Sequence, residues 1–481
     1  MADRLSPLDV SFLYMEGGST PMHIGGVEVF EIPDDGIDYD RLITLIEDRL
    51  ALVPRYRQRV KWVPGGIANP VWIDDVNFDF AYHVRRSALP RPGTDSQLRE
   101  LVARIMARPL DLSRPLWEMY LVEGLENDRF AILTKTHHAM VDGIGAVDIA
   151  ALILDGSPTP GELLAEEWQP SGEPNGAMLV LGALTDFVLR PASFVDAVRS
   201  GLDDVEDTFA HIGSLAGGVA STLWRVARPP SDSVLNVPIG EARRFATVDS
   251  SLEDYKMIRR AHGGTINDVV LAVVAGGLRS WLRGRGETVT TRTTIRALVP
   301  ASVRPRADQG TDESPIGNRV AGFLVDLPVG EPDPVIRLQR VSYTMAAHKE
   351  SGQLLGADAL VGLAGFAPST FHSLGSRVAN GLARRMFNLV VTNVPGPQYP
   401  LFAGGAHMVA AYPVVPLAKG QAVSIGLTSY DGGVYYGINA DRDSLPDAEV
   451  LADHLTDALA ELVATVTTKA RRPSSRRTAT R

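Results

Sequence analysis

Residues 137 to 143 read His-His-Ala-Met-Val-Asp-Gly, directly after the strand-like run FAILTKT. An imidazole changes protonation near neutral pH, so it can take the proton of a weakly acidic hydroxyl as that oxygen attacks an acyl carbon. Such help contributes ~10²–10⁴ in rate. His138 is the candidate general base. Asp142, four residues on, can hold the loop and pair an arginine, and Gly143 lets the backbone turn sharply. His137 then faces the core. A metal site is the first rival, but successive strand side chains point to opposite faces, so the two histidines do not readily grip one ion. No His-x-x-x-His pair or acidic cluster accompanies them, and no metal is expected. The second rival is a histidine that only satisfies a buried polar network; Asp142 and Gly143 at loop spacing weigh against it.

The remaining composition narrows the chemistry. The chain has no cysteine, which excludes disulfides, thiolate zinc sites and a Cys acyl-enzyme. No G-x-S-x-G elbow or G-x-x-x-x-G-K-[ST] loop occurs, and Gly143-x-Gly145 lacks the third glycine of a dinucleotide fingerprint. Direct transfer to a hydroxyl remains, with oxyanion donors still unnamed. The net charge is −10, and the six basic groups from Lys469 to Arg481 make the rest of the chain still more acidic. Such a body is a poor nucleic-acid binder. The basic end reads as a disordered tail, with contact to anionic lipid as the alternative. The start, MADRLSPLDVSFLYMEGG, is not a secretory signal. The longest apolar candidate, Ala177 to Leu189, is broken by Thr185 and Asp186, so no transmembrane helix is expected. The reading is a cytoplasmic protein, peripheral on the membrane or on lipid droplets at most.

With 481 residues, 45% apolar and 22% charged, the chain is long enough for two units around a cleft. Residues 38 to 53 carry apolar side chains at helical spacing and end before Pro54. A second helix is expected from Ser96 as N-cap through Met106. PLWEMYLVEGL and FAILTKT read as strands. From 156 to 235 turn chemistry and weakly amphipathic segments suggest a crossover that packs on both halves. GGTINDVVLAVVAGGLRSWL is a helix whose start carries Thr265 and Asp268 at capping-box spacing. TIRALVPASVR and NLVVTNVPGP read as strands ending in turns, and SIGLTSYDGGVYYGINA as a hairpin turned at Asp431-Gly432-Gly433. The expected fold class is mixed α/β, divided into a half at 1–155, crossover helices at 156–235, a second half at 236–465 and the tail at 466–481.

Five segments in order, PLDVSFLYME, PLWEMYLVEGL, HHAMVDG, the Asn267-Asp268 helix start and NVPGP, resemble the bacterial wax ester synthase/acyl-CoA:diacylglycerol acyltransferase family. More distantly the chain is similar to the superfamily of chloramphenicol acetyltransferase, carnitine acyltransferases and peptide-synthetase condensation domains. The resemblance implies two chloramphenicol-acetyltransferase-like halves joined by a crossover, with a channel between them and the histidine motif near its middle. It implies an O-acyltransferase that moves a long-chain acyl group from acyl-CoA to diacylglycerol, with His138 as general base and no cofactor beyond the co-substrate. Asp142 would pair an arginine, Arg296 or Arg304. Asn267, Asp268 and Asn393 are candidate substrate contacts, set against helix-start and turn chemistry. Trp117 is read as core. Fatty alcohol as acceptor, a carrier-protein donor, and a lipid-binding or droplet-surface protein without catalysis are the alternatives; oligomeric state is open.

Overall fold

The computed structural model describes residues 3–141, 152–159, 168–181, 233–302, 320–350 and 386–471. In chain order the first half runs β1 (Asp3–Arg4), α1 (Pro7–Met15), β2 (His23–Glu31), α2 (Tyr39–Ala51), β3 (Gln58–Lys61), β4 (Val71–Asp74), α3 (Phe80–His83), β5 (Val84–Ala88), α4 (Asp95–Met106), β6 (Trp117–Leu125), β7 (Arg129–His137) and α5 (His138–Val141). The second half adds β8 (Arg243–Ser251), α6 (Leu252–His262), α7 (Ile266–Gly284), β9 (Ile295–Ser302), β10 (Val320–Leu327), α8 (Pro334–Glu350), β11 (Leu389–Pro395), β12 (Phe402–Ala403), β13 (Ala406–Val414), β14 (Val423–Tyr430), β15 (Gly433–Asp441) and α9 (Ala448–Arg471). The mixed α/β class is borne out.

Among the described residues, two six-stranded sheets, β12-β13-β2-β7-β6-β5 and β10-β9-β11-β14-β15-β8, form the layers, and a small β1-β4-β3 sheet accompanies them. The expected partition near residue 236 therefore does not describe the sheets. Residues 402–414 leave the second half and complete the first sheet, with β13 antiparallel to β2. There β13 lies between β12 and β2, while side chains stitch it back to its own half. Tyr430 and Tyr435 donate to the Met408 and Val409 carbonyls at 3.0 and 2.8 Å. Tyr412 donates to Asp249 at 2.7 Å. Gly437 is needed where the layers meet, since a Cβ there would lie 1.8 Å from the Pro413 carbonyl oxygen.

Local signals place most elements. Thr265 and Asp268 make the expected capping box, and α7 runs on as the buried centre of the second core through Val269, Val273 and Trp281. The hairpin turns at Asp431 and Gly432, both at positive φ. The N-cap of α4 is Thr94, not Ser96: Thr94 Oγ1 accepts from Gln97 N–H while the Gln97 side chain accepts from Thr94 N–H, and Ser96 falls inside the first turn. The tail also begins later than expected. α9 continues to Arg471 because Val463 and Val466 extend its apolar stripe onto the second core; the rest of the tail lies outside the described residues.

Of the crossover, residues 156–159, 168–181 and 233–235 are described, and 168–181 form its longest such stretch. That stretch lies on the small sheet: Leu179 packs with Val63, Val71 and Ile73, Lys61 donates to Glu173 at 2.7 Å, and the Arg57 guanidinium sits over Trp168. No single helix among the described residues is long and apolar enough to cross a membrane. α6 and α7 pass that test only together, bent by 100°.

Candidate active site

Strand β7 ends at His137 and its next residue begins α5, so the two histidines occupy a strand-to-helix junction. The junction is held from both sides: His137 N–H donates to the Leu116 carbonyl and His138 N–H to the Met22 carbonyl, each at 2.9 Å. The strand-to-helix change turns the adjacent side chains to different surroundings. No group of ligands suited to a metal occurs among the described residues.

His137 is fully buried and paired in register with His23 of β2. Its Nδ1 accepts the Ala139 N–H at 3.0 Å, so in the neutral ring the proton sits on Nε2. That nitrogen faces Glu16 Oε2 at 3.6 Å. His23 is itself buried and its Nε2–H donates to the Met106 carbonyl, 2.7 Å away. Burial, followed by the nearby Lys135 cation, holds His23 well below the ordinary imidazole range.

His138 is different. The residue is half-buried, and its ring lies deep in the protein. Phe12 covers one face, stacked at 4.6 Å and 16°. Nδ1 is buried without a hydrogen-bond partner, and Nε2 makes no hydrogen bond to the described residues. Burial pushes the ring down to about 4, with the positive field of His137 a smaller cause. An imidazole that is neutral and carries no hydrogen bond to the described residues can accept a proton from a hydroxyl brought to Nε2.

Beneath this junction is a buried polar layer. Lys135, wholly inaccessible, donates to the Arg108 and Ile105 carbonyls at 2.6 and 3.2 Å, closing the C-terminal end of α4, and lies 3.7 Å from Glu118. Burial pulls it down to about 8, opposed by Glu118. Trp117 is core: it is fully buried, donates to the Tyr56 carbonyl at 2.7 Å and stacks on His83.

In the second half, Asn267 at the start of α7 and Asn393 on β11 come together, Asn393 Nδ2 donating to Asn267 Oδ1 at 3.3 Å. Both are half-buried. Asp268 is helix-start chemistry: its carboxylate accepts from Thr265 N–H at 2.8 Å and from Ser342 Oγ at 3.1 Å. No hydrogen bond joins the asparagines to the histidines among the described residues. Asp142, Gly143 and Arg304 lie outside the described residues; Arg296 pairs Asp326 at 2.8 Å. A cavity of about 180 Å³ between α4, β2 and β8, lined by Val27, Val29, Leu98, Phe245 and Asp249, contains none of these residues and lies farther along β2 from His23.

Residues 5–270 match the wax ester synthase/diacylglycerol acyltransferase catalytic domain, and residues 316–463 match the C-terminal domain of the same family. The chain belongs to the wax ester synthase/diacylglycerol acyltransferase family. It is 34% identical over 464 residues, 96% of either chain, to a Mycobacterium tuberculosis protein described as a probable diacylglycerol O-acyltransferase, tgs1. It is 44% identical over 262 residues to another from that organism, tgs3, covering 54% of this chain and 96% of the relative. Among solved structures it resembles the wax ester synthase/diacylglycerol acyltransferase of Marinobacter aquaeolei VT8, with TM-score 0.68, 26% identity, and coverage of 97% of this chain and 100% of the other. The first condensation domain of the CDA synthetase shares the fold at TM-score 0.55 and 15% identity, covering 96% of each chain. Family membership and the two-half acyltransferase fold are thus as the sequence resemblance implied.

Two residues near the histidines were not singled out from sequence. Phe12 and Glu16, both in the PLDVSFLYME segment, sit four apart and so share a face of α1 and its C-cap. That spacing was the available signal.

Proposed function

We propose that this chain transfers a long-chain acyl group from acyl-CoA to the free hydroxyl of diacylglycerol, making triacylglycerol, with His138 as general base. The observation that supports it is the His138 imidazole at the strand-to-helix junction, half-buried as a residue, stacked on Phe12 and without a hydrogen bond to the described residues, with burial holding it down to about 4. Nε2 takes the hydroxyl proton while the oxygen attacks the thioester carbonyl carbon. The tetrahedral intermediate collapses, the C–S bond breaks, and the coenzyme A thiolate leaves and recovers the proton from His138. No acyl-enzyme and no cofactor beyond the co-substrate is required. Asp142 and Gly143 would help fix how His138 is presented. Asn267 and Asn393, joined to one another, are the second-half candidates for substrate contact.

Diacylglycerol is preferred because the relatives that span this chain are described as diacylglycerol O-acyltransferases. Fatty alcohol is the second reading, since the family's description includes wax ester synthesis and the proton chemistry is identical. A lipid acceptor requires contact with a lipid surface. The exposed Trp62 and Ile67 between β3 and β4 suit that contact, an indole being favoured at membrane interfaces.

Purified protein given radiolabelled long-chain acyl-CoA and a panel of alcohols tests the assignment. Labelled triacylglycerol is expected, and loss of ~10²–10⁴ in turnover with His138→Ala. Product from fatty alcohols alone would reverse the acceptor; wild-type turnover in the variant would remove His138 as base.

A further inference from the structure

Glu16 is an acidic residue in an unlikely place for a surface carboxylate. It caps α1, its backbone N–H donates to the Phe12 carbonyl at 3.2 Å, and its side chain is only 9% exposed. A buried carboxylate without a partner is costly, because the charge has lost its water. The group facing it is His137 Nε2 at 3.6 Å, and neither Glu16 Oε1 nor His137 Nε2 has a hydrogen-bond partner. The opposite nitrogen of the same ring already accepts Ala139 N–H, which fixes the Nε2 proton on the side of Glu16. Ala139 lies in the first turn of α5, immediately after His138. One helix therefore reaches both histidines: Phe12 meets the ring of His138 and Glu16 meets that of His137.

We propose that Glu16 is a positioning residue, whose carboxylate faces the His137 Nε2–H across 3.6 Å and attracts it electrostatically, and which, through the His137–Ala139 hydrogen bond, steadies the turn that presents His138. The role resembles that of a carboxylate that orients a histidine by its second nitrogen, applied here to the neighbour of the base instead of to the base. The second half helps hold the loop after Glu16 in place: Arg243 of β8 donates to the Ser19 carbonyl and pairs Asp441 at 3.8 Å. The consequence for catalysis rests on the acyltransferase reading; the tautomer of His137 does not.

Glu16→Leu and Glu16→Gln separate the role from simple packing. Gln keeps an acceptor oxygen, and Leu keeps bulk without one. Leu is expected to lower kcat by about a hundredfold with KM for acyl-CoA within about twofold, as a displaced base would; Gln is expected to restore most of the loss. Selective ¹⁵N-histidine NMR without substrate should show His137 as the Nε2–H tautomer in all three proteins, since Ala139 N–H still occupies Nδ1, with the Nε2–H resonance of Leu displaced from its position in the parent and Gln proteins. A Leu variant with parental kcat, equal losses in Leu and Gln, or an unchanged His137 signal in Leu would each overturn the proposal. Absence of turnover in the parent protein would instead fail the acyltransferase reading and leave the NMR test standing.

Discussion

Lowering the pH interrogates His138 directly. An ordinary imidazole titrates near 6.5, whereas burial beside His137 pushes this one down to about 4. At pH 5.5 an ordinary ring would be about 9% neutral and this ring about 97% neutral. The neutral form is the base, so kcat/KM should stay nearly flat from pH 7.5 to 5.5 instead of dropping about tenfold. The assay is the initial rate with labelled acyl-CoA at low substrate, over that range. The same depressed pKa has a stability consequence of fixed sign. Between about 4 and 6.5 the unfolded chain binds the proton and the native ring does not, so stability rises with pH. It is complete above 6.5 and lost as pH falls toward 4, by at most about 3 kcal/mol for a shift of this size. His138→Ala removes this slope while the depressed His23 and His83 remain in both proteins and cancel. Denaturant melts of both proteins at pH 7 and 4.5 measure the difference. An acid limb at 6.5, or an unchanged slope in the variant, would refute the neutral buried base.

Lys135→Met should cost about 3 kcal/mol in a denaturant melt, because Glu118 and the Ile105 and Arg108 carbonyls lose their buried cation; an unchanged melt would mean that they find water instead. Gly437→Ala should cost about 2 kcal/mol, since the Pro413 carbonyl must move away and the two sheets must part locally; thermal denaturation detects it, and neutrality would contradict the close approach. Asn267→Ala and Asn393→Ala should be non-additive in kcat/KM, with a coupling of about 1 kcal/mol; strict additivity would show that the 3.3 Å bond carries no shared role.

Much of the layout follows from short-range chemistry. Thr265 and Asp268 three residues apart start α7, apolar spacing carries it through Val273 to Trp281, and the Asp-Gly step turns the β14–β15 hairpin. The histidine junction is equally local, because FAILTKT is a strand and the turn begins at its end. Ser96 misled because capping depends on which side chain reaches which N–H, and the Thr94–Gln97 pair satisfies two donors at once.

The residue types that could serve a proton-transfer site, and the order of the elements that carry them, were set within windows of a few residues, where period, turn preference and side-chain pKa act. Partners distant along the chain were settled by the fold alone. Nothing in residues 406–414 marks them for β2 of the other half, since a strand's alternation specifies a face and not the neighbour it pairs with. For the same reason Phe12 against His138, Glu16 against His137, and Asn267 against Asn393 emerge only when packing brings separate segments together. The neutrality of the base also belongs to that level, because desolvation depends on everything that surrounds the ring and not on its neighbours in sequence.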